Sequence, residues 1–510
     1  MIVLDAFALL GLYALYRSWK YKRPSLPLPP GPKGLPLVGN LFDMPKAFEW
    51  RTFHKWAKEL ETDIIYLNIA GQSVVIIDSA SAAVELLERR SSLYSGRPRL
   101  PMINELMGWD FDFGFMDYGD TWRRHRRLMH NAFHPAASKQ FLPHLSKATL
   151  AFLNNMLDKP ESLVENIRSM AGQTILSIAY GIEMQKNNDP YIADAHRAIK
   201  PVSLAAVPGA FLVDTFPALK YVPDWAPGAG FKAKARMWRS YARQMIERPF
   251  EAAKNMMAEG TCPRCFVSIC LDMKEDSSLI YDEDVVQSVA GTMYTAGADT
   301  TVAVLTACIL GLLSRPDVVK KAQDDLDKVV KLGHLPDFED EPSLPFITAI
   351  AKETMRWRVT LPTAVPHLLH ADDEYKGYRI PAGSIIIPNT WAMLNDEGIY
   401  PDPLTFRPER FMENNYLRQD VRDPGHATWG FGRRICPGRF IAFPAVWIAI
   451  ASLIYAFNIE KKVDETGNVI QPNHEDTVGL VNMPKPYAYR ITPRSLAIEK
   501  LIRESKILYL

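Results

Sequence analysis

The residues best suited to chemistry lie near the end of the chain, in Trp429-Gly-Phe-Gly-Arg-Arg-Ile-Cys-Pro-Gly438. A lone cysteine, Cys436, sits among glycines and arginines. Gly430, Gly432 and Gly438 let the backbone pass close to a flat ligand, because no Cβ stands in the way. They also leave backbone N–H groups free to point at one sulfur. Such donors favour the thiolate, the form that binds a metal. The arginines, Arg434 among them, suit carboxylates on the rim of a ring. This chemistry fits a cysteine thiolate as axial ligand of haem iron. An inert buried cysteine is the plainer alternative. A phosphate-binding glycine loop fits worse, since no Gly-Lys-Ser/Thr follows.

Other constellations stand at helical spacing. Ala296-Gly-Ala-Asp-Thr-Thr301 falls inside a helix expected from Asp282 to Ser314. Asp282, Glu283 and Asp284 suit the positive end of its dipole, and Pro316 follows its end. Gly297 is a poor interior helix residue, and Asp and Thr side chains compete for backbone bonds. A helix weakened there opens a groove for a diatomic molecule and water; a core helix with a polar kink is the alternative. Trp122 and Arg126 are i, i+4 neighbours whose indole N–H and guanidinium can hold one carboxylate. Glu353 and Arg356, at i, i+3, share a helix face.

These stretches together resemble the cytochrome P450 family. Gly432, Arg434, Cys436 and Gly438 match its Phe-x-x-Gly-x-Arg-x-Cys-x-Gly loop, with Trp429 in place of the first Phe. Ala296–Thr301 is similar to its oxygen-activation stretch. Glu353-Thr-Met-Arg356 and Phe406-Arg-Pro-Glu-Arg-Phe411 are similar to its Glu-x-x-Arg helix and meander arginine. The resemblance implies that Cys436 is the axial ligand, the electron-donating thiolate that favours O–O cleavage. It implies that Trp122, Arg126, His367, Arg434 and Arg97 bind the haem propionates. It gives Thr300 a hydrogen bond to the oxygen being activated, Asp299 a proton relay, and Glu353, Arg356 and Arg410 a structural triad. Arg123, Arg124 and Arg127 are expected to face an acidic redox partner.

The resemblance also implies a fold that is mainly α with minor β, a single large cytochrome P450 fold behind an N-terminal membrane anchor helix. The implied activity is a haem-thiolate monooxygenase, similar to the microsomal type of basidiomycete fungi. It would insert one atom of O2 into a small apolar substrate, aromatic or terpenoid-like, in secondary metabolism or xenobiotic oxidation. Electrons would come from an NADPH-cytochrome P450 reductase. Pocket walls are expected near 100–116, 205–216, 289–297, 360–366 and 478–482, with Phe111, Phe113, Phe115, Val289, Met293, Leu361, Val365 and Leu480 as candidates. A reductase-independent haem-thiolate isomerase or dehydratase, or a non-catalytic haem-binding membrane protein, is the competing reading. The Asp299–Thr300 pair speaks against both, since neither needs a proton relay. Departures from the family pattern, Val359 for a common proline and Glu397 ahead of Tyr400-Pro-Asp-Pro, lie away from the reacting centre.

The elements that must position these residues are legible more coarsely. The chain has 510 residues, 47% hydrophobic and 23% charged, which permits a large core. A net charge of +1 gives no general attraction to nucleic acid. Five cysteines, odd and sparse, fit a reducing compartment. Met1–Tyr16 is apolar apart from Asp5, and Arg17, Lys20, Lys22 and Arg23 follow. Charge after the apolar run reads as a membrane anchor over 1–23, with an interfacial or buried helix as the alternative, that leaves the rest cytosolic; the microsomal resemblance implies the endoplasmic reticulum. A proline-rich hinge, stiff and extended, follows over 24–40. One haem domain is read over 41–510. Ile64–Ile69 with Ser73–Asp78 reads as a hairpin, and Tyr378–Ile387 as another. Two motifs are set aside. Cys262-Pro-Arg-Cys265 lacks a second ligand pair for zinc. Gly228-Ala-Gly-Phe-Lys-Ala233 follows no strand, so it makes no dinucleotide loop and electrons must come from another protein.

Overall fold

A computed structural model describes residues 26–185, 189–207, 209–272 and 281–508. The expected anchor, 1–23, lies outside the described residues. The chain is mainly helical with a small β region, as expected. Eight helices frame the site: α1 (Asp120–Phe133), α2 (Leu142–Asp158), α3 (Leu163–Tyr180), α4 (Pro190–Ala205), α5 (Gly230–Ala258), α6 (Glu283–Ser314), α7 (Pro345–Trp357) and α8 (Arg439–Ala456). Helix α6 is the axis, with α1, α3, α4, α5, α7 and α8 packed around it. Its 32 residues run about 48 Å at the usual rise. It is apolar nearly all round, which marks a helix enclosed by others. Both α6 and α8 are apolar and long enough to cross a bilayer, but 67% of the most apolar window of each is buried inside the fold.

α6 runs as one helix from Glu283 to Ser314 through Gly297. Its hydroxyls bond back along the helix, Thr292 to Ser288 O, Thr295 to Gly291 O and Thr300 to Ala296 O. Gly297 serves packing instead. A Cβ there would lie 2.6 Å from Ile175 of α3, so the missing side chain sets how closely α3 approaches.

Six strands matter for position: β1 (Ile64–Ile69), β2 (Gln72–Ile77), β3 (His367–Leu368), β4 (Asp373–Tyr375), β5 (Tyr378–Ile380) and β6 (Ile385–Pro388). The four-stranded sheet has the order β1-β2-β6-β3. β1 and β2 form the expected hairpin, Ile64 opposite Ile77. β2 pairs parallel with β6, Val74 beside Ile385, and β6 antiparallel with β3, Ile386 opposite His367. The hairpin expected over 378–387 does not form. β5 pairs backwards with β4 and β6 joins the other sheet. Two turns explain this. Lys376 (φ 51°) and Gly377 (φ 80°) both take the left-handed conformation that suits a tight hairpin between β4 and β5. Pro381 then supplies no N–H to continue a ladder.

The proline-rich stretch, where described, is strapped to both sheets. Pro27 O accepts from Arg379 N at 2.8 Å and Pro30 O from Tyr66 N at 2.9 Å. Prolines accept but cannot donate, so such a segment can edge a sheet without extending it.

Candidate functional site

Cys436 lies in the turn leading into α8. Its N–H donates to Trp429 O at 2.7 Å, which closes the loop. Gly430 (φ 74°) and Gly432 (φ 54°) take left-handed conformations. A Cβ on Gly432 would fall 2.1 Å from Leu87 O, so no other residue fits. Burial pushes the Cys436 thiol up; the Gly438 and Arg439 backbone amides and the charges of Arg126 and Arg439 oppose it. The glycine loop thus supplies the expected donors, but they do not outweigh desolvation. The thiolate needs a cation beside it, and a bound iron is one.

Around the loop the structure gathers guanidinium groups without anions. Arg434 lies over the Trp122 ring, 4.4 Å from its centre, and donates to Ser95 O and Met116 O at 2.8 Å. Arg97 is buried and donates to Gly114, Val365 and Pro366 carbonyls, each at 2.9 Å. Arg126 makes no ion pair or hydrogen bond among the described residues. Burial holds Arg126 and Arg434 down to about 10, and burial with the charge of Arg434 holds Arg97 well below its ordinary value. His367 Nδ1 lies 2.7 Å from Tyr94 O, so that nitrogen carries the proton. Burial and Arg97 press the imidazole well below its usual range. A bridge between Gly96 and Leu368 holds these two segments side by side.

No carboxylate stands within ion-pair distance of Arg97, Arg126 or Arg434 among the described residues. Three desolvated cations of this kind are unfavourable unless an anion joins them. Along α6, meanwhile, Ala296 is exposed and Thr300 and Val304 half-buried, a partly uncovered face at i, i+4 spacing; Thr295, Gly297, Asp299 and Thr301 are half-buried too. An anion-seeking cluster, a half-buried cysteine and a partly uncovered face fit a flat ring with two carboxylates, which is haem.

The structural triad forms as the resemblance implies. Arg356 Nε and Nη2 donate to Glu353 at 2.8 and 2.9 Å, and Arg410 Nε lies 3.0 Å from the same carboxylate. Glu353 and Arg356 are wholly buried. Asp299 and Thr300 are not hydrogen-bonded to each other. Thr300 Oγ1 donates to Ala296 O at 2.7 Å, whereas Asp299 lies 3.9 Å from Arg168 Nε of α3. Of the arginines expected to face a partner, Arg123 pairs with Asp120 and Arg124 with Asp282. Arg127 makes no ion pair among the described residues.

Some residues escaped the sequence reading. Arg439 donates to Cys436 O at 2.9 Å; its place one residue past Gly438 was the available signal. Asp112 is 5% exposed, accepts only from Gly114 N at 2.8 Å, and is pushed up to about 7 by burial. Arg168 comes from a distant segment, and no local pattern points to it. The Cys262–Cys265 pair, 4.0 Å between sulfurs, belongs to no metal-ligand group among the described residues.

A half-buried cysteine loop with arginines that have no carboxylate in ion-pair range among the described residues fits a haem-thiolate protein. The profile of the Cytochrome P450 family matches residues 29–491, and the chain belongs to that family. It is similar to cytochrome P450 monooxygenase 98 of Postia placenta, 41% identical over 98% of this chain and 96% of the relative. Cytochrome P450 monooxygenase ple1 of Rhodocybe pseudopiperita is 41% identical over 98% and 96%. Tryptamine 4-monooxygenase of Psilocybe cyanescens is 40% identical over 98% of this chain and 100% of the relative. The family is one of haem-thiolate oxidoreductases with a cysteine axial ligand, and these relatives are monooxygenases.

Proposed function

We propose that this protein is a membrane-anchored monooxygenase that hydroxylates a small apolar, aromatic or terpenoid-like substrate with electrons from an NADPH-cytochrome P450 reductase. The observation that carries the reading is the half-buried Cys436 loop with three guanidinium groups that have no carboxylate in ion-pair range among the described residues. When bound, the haem supplies the activation of O2 and the transfer of one oxygen atom. The chain supplies the rest. Cys436 would hold the iron through its sulfur. Arg97, Arg126, Arg434, Trp122 and His367 would bind the two propionates. Thr300, whose hydroxyl donates to Ala296 O, would offer that hydroxyl to the site, and Asp299 would bring protons to it. Phe111, buried against Gly291 of α6, and Met293 on α6 itself supply apolar wall and exclude water.

Residues 1–23 anchor the chain to the endoplasmic reticulum, 24–40 strap it to both sheets, and the remainder is the cytosolic haem domain. Arg127 and Arg433, both exposed, face the acidic surface of the reductase. The likeness to tryptamine 4-monooxygenase makes tryptamine the first substrate to offer, in a secondary-metabolic setting. The test is the spectrum of the reduced protein with carbon monoxide, followed by substrate-dependent NADPH consumption with reductase. A strongly red-shifted Soret band and coupled consumption are expected. A band typical of histidine ligation would remove Cys436 as ligand, and turnover without reductase would return the isomerase reading.

A further inference from the structure

The segment that closes the Glu353 triad also walls a cavity whose lining includes no residue expected to bind haem. The cavity has a volume of about 600 Å³ and opens between segments 398–401, 407–410 and 418–422. That size suits a small organic molecule. Four guanidinium groups line it, Arg407, Arg410, Arg418 and Arg422, against two carboxylates, Glu409 and Asp420. Arg315 reaches Glu409 from behind at 2.7 Å, and Glu353 reaches Arg410 at 3.0 Å. Those two added charges cancel, so the lining keeps two positive charges in excess. Arg418 is matched by Asp420, Nε to Oδ1 at 2.9 Å. The excess therefore rests on Arg407 and Arg422. Arg407 donates to Pro401 O at 3.0 Å. Its Nη1 stands 3.6 Å from Asp402, a carboxylate 74% exposed, and such a pair is weak in water. Arg422 is exposed, and its side chain makes no ion pair or hydrogen bond among the described residues. Its backbone is fixed all the same, because Arg422 O accepts from the Tyr400 hydroxyl at 2.9 Å. Ile399 and Val421 add an apolar wall packed on the core.

We propose that this cavity binds an organic phosphate monoester: Arg407 and Arg422 take the phosphate, and the wall of Ile399 and Val421 takes the organic body. Charge decides the class. A phosphate monoester carries close to two negative charges at neutral pH, which equals the excess in the lining. Guanidinium forks match its oxygens in pairs. A single carboxylate would satisfy only half of the excess. Such monoesters occur on soluble metabolites and on lipid headgroups such as phosphatidic acid, and the phosphate chemistry is common to both. The site is independent of the monooxygenase reading but is joined to the triad. Arg407 N donates to Glu353 Oε1 at 2.8 Å, so an occupant held by Arg407 and Arg422 ties the two ends of this segment together behind the Cys436 loop.

The test is calorimetric titration of the haem-loaded full chain at about 0.15 M salt, where attraction to scattered surface charge is screened. The probes are adenosine monophosphate, cyclic adenosine monophosphate, adenosine and inorganic phosphate. Adenosine monophosphate should bind at one site per chain. The cyclic diester, with the same body but one charge, should bind about tenfold more weakly, as loss of a charge-assisted bond predicts, and adenosine should not bind. Arg422→Gln should weaken the monophosphate about tenfold or more, and Arg422→Lys, which keeps the charge but not the fork, by less. Val421→Trp fills the cavity and should abolish binding of the monophosphate while inorganic phosphate still binds. An unchanged carbon monoxide spectrum in each variant shows that the fold and haem are intact. Phosphatidylcholine vesicles with and without phosphatidic acid separate the two sources. Extra capture by phosphatidic acid that Arg422→Gln abolishes would assign a lipid headgroup; monophosphate binding without extra capture would assign a soluble ligand. No saturable binding at about 1 mM adenosine monophosphate would overturn the proposal, and so would binding that survives both Arg422→Gln and Val421→Trp. If the monophosphate does not bind and Arg422→Gln instead raises the KM for reductase, the face is a docking surface for that protein and the proposal falls.

Discussion

Burial pushes the Cys436 thiol up, and a cation beside it favours the thiolate that binds a metal. Cys436→Ser should therefore abolish the red-shifted carbon monoxide band while leaving a folded protein, as circular dichroism would check. Arg126 has no ion-pair or hydrogen-bond partner among the described residues. A charge-assisted bond contributes about 1.5–3 kcal/mol, so Arg126→Gln should weaken haem retention about tenfold or more, measured by haem transfer to an acceptor globin. Asp112 predicts a pH effect. Its folded pKa of about 7 lies above the ordinary carboxylate value, so the folded chain holds its proton longer than the unfolded one. Stability from this group is complete below about pH 4 and lost as pH rises through about 7. Asp112→Asn should leave thermal stability unchanged at low pH and raise it at pH 8, by up to about 4 kcal/mol for a shift of roughly three units. Cys436, Trp122 and Arg126 were legible because their chemistry is written in local spacing. Asp112 and Arg168 were not, because their partners arrive from other elements and only packing joins them.

At the scale of elements, the glycines act by what they leave out. Gly432→Ala would drive a Cβ into a backbone carbonyl that cannot move aside, at a left-handed φ as well. It should disorganise the cysteine loop and sharply lower the yield of haem-loaded protein. Gly297→Val would gain helix propensity but overfill the contact with Ile175. Overpacking costs about 1–3 kcal/mol against a propensity gain of about 0.5 kcal/mol, so a lower melting temperature is expected. The sequence showed that Gly297 was unusual in a helix and pointed to a local weakening. The reason lay in α3, which periodicity in α6 could not reveal. Likewise Tyr378–Ile387 alternates as a hairpin should. Lys376-Gly377 and Pro381 determine its partners, and turn chemistry there outweighs the alternation.

Across the whole molecule, Glu353 ties α7 to the segment 401–410 through two buried arginines. Removing its charge strands both. Glu353→Ala should cost about 3–5 kcal/mol and yield little soluble protein, as breaking a buried ion pair generally does. The overall class was readable because motifs recur in order along the chain. The sheet order was not, since β2 and β6 are joined by no motif, only by a shared register. That pairing has a consequence during synthesis. β6 is translated about 310 residues after β2, which at about 5–20 residues per second leaves β2 without its parallel neighbour for roughly 15–60 s. The Val74–Ile77 edge, apolar and buried in the finished fold, meanwhile lies open as a template for other nascent chains. Ribosome-bound chains halted before residue 380 should recruit chaperones at this hairpin and shed them once about 40 further residues, the length held in the exit tunnel and slightly more, bring β6 out.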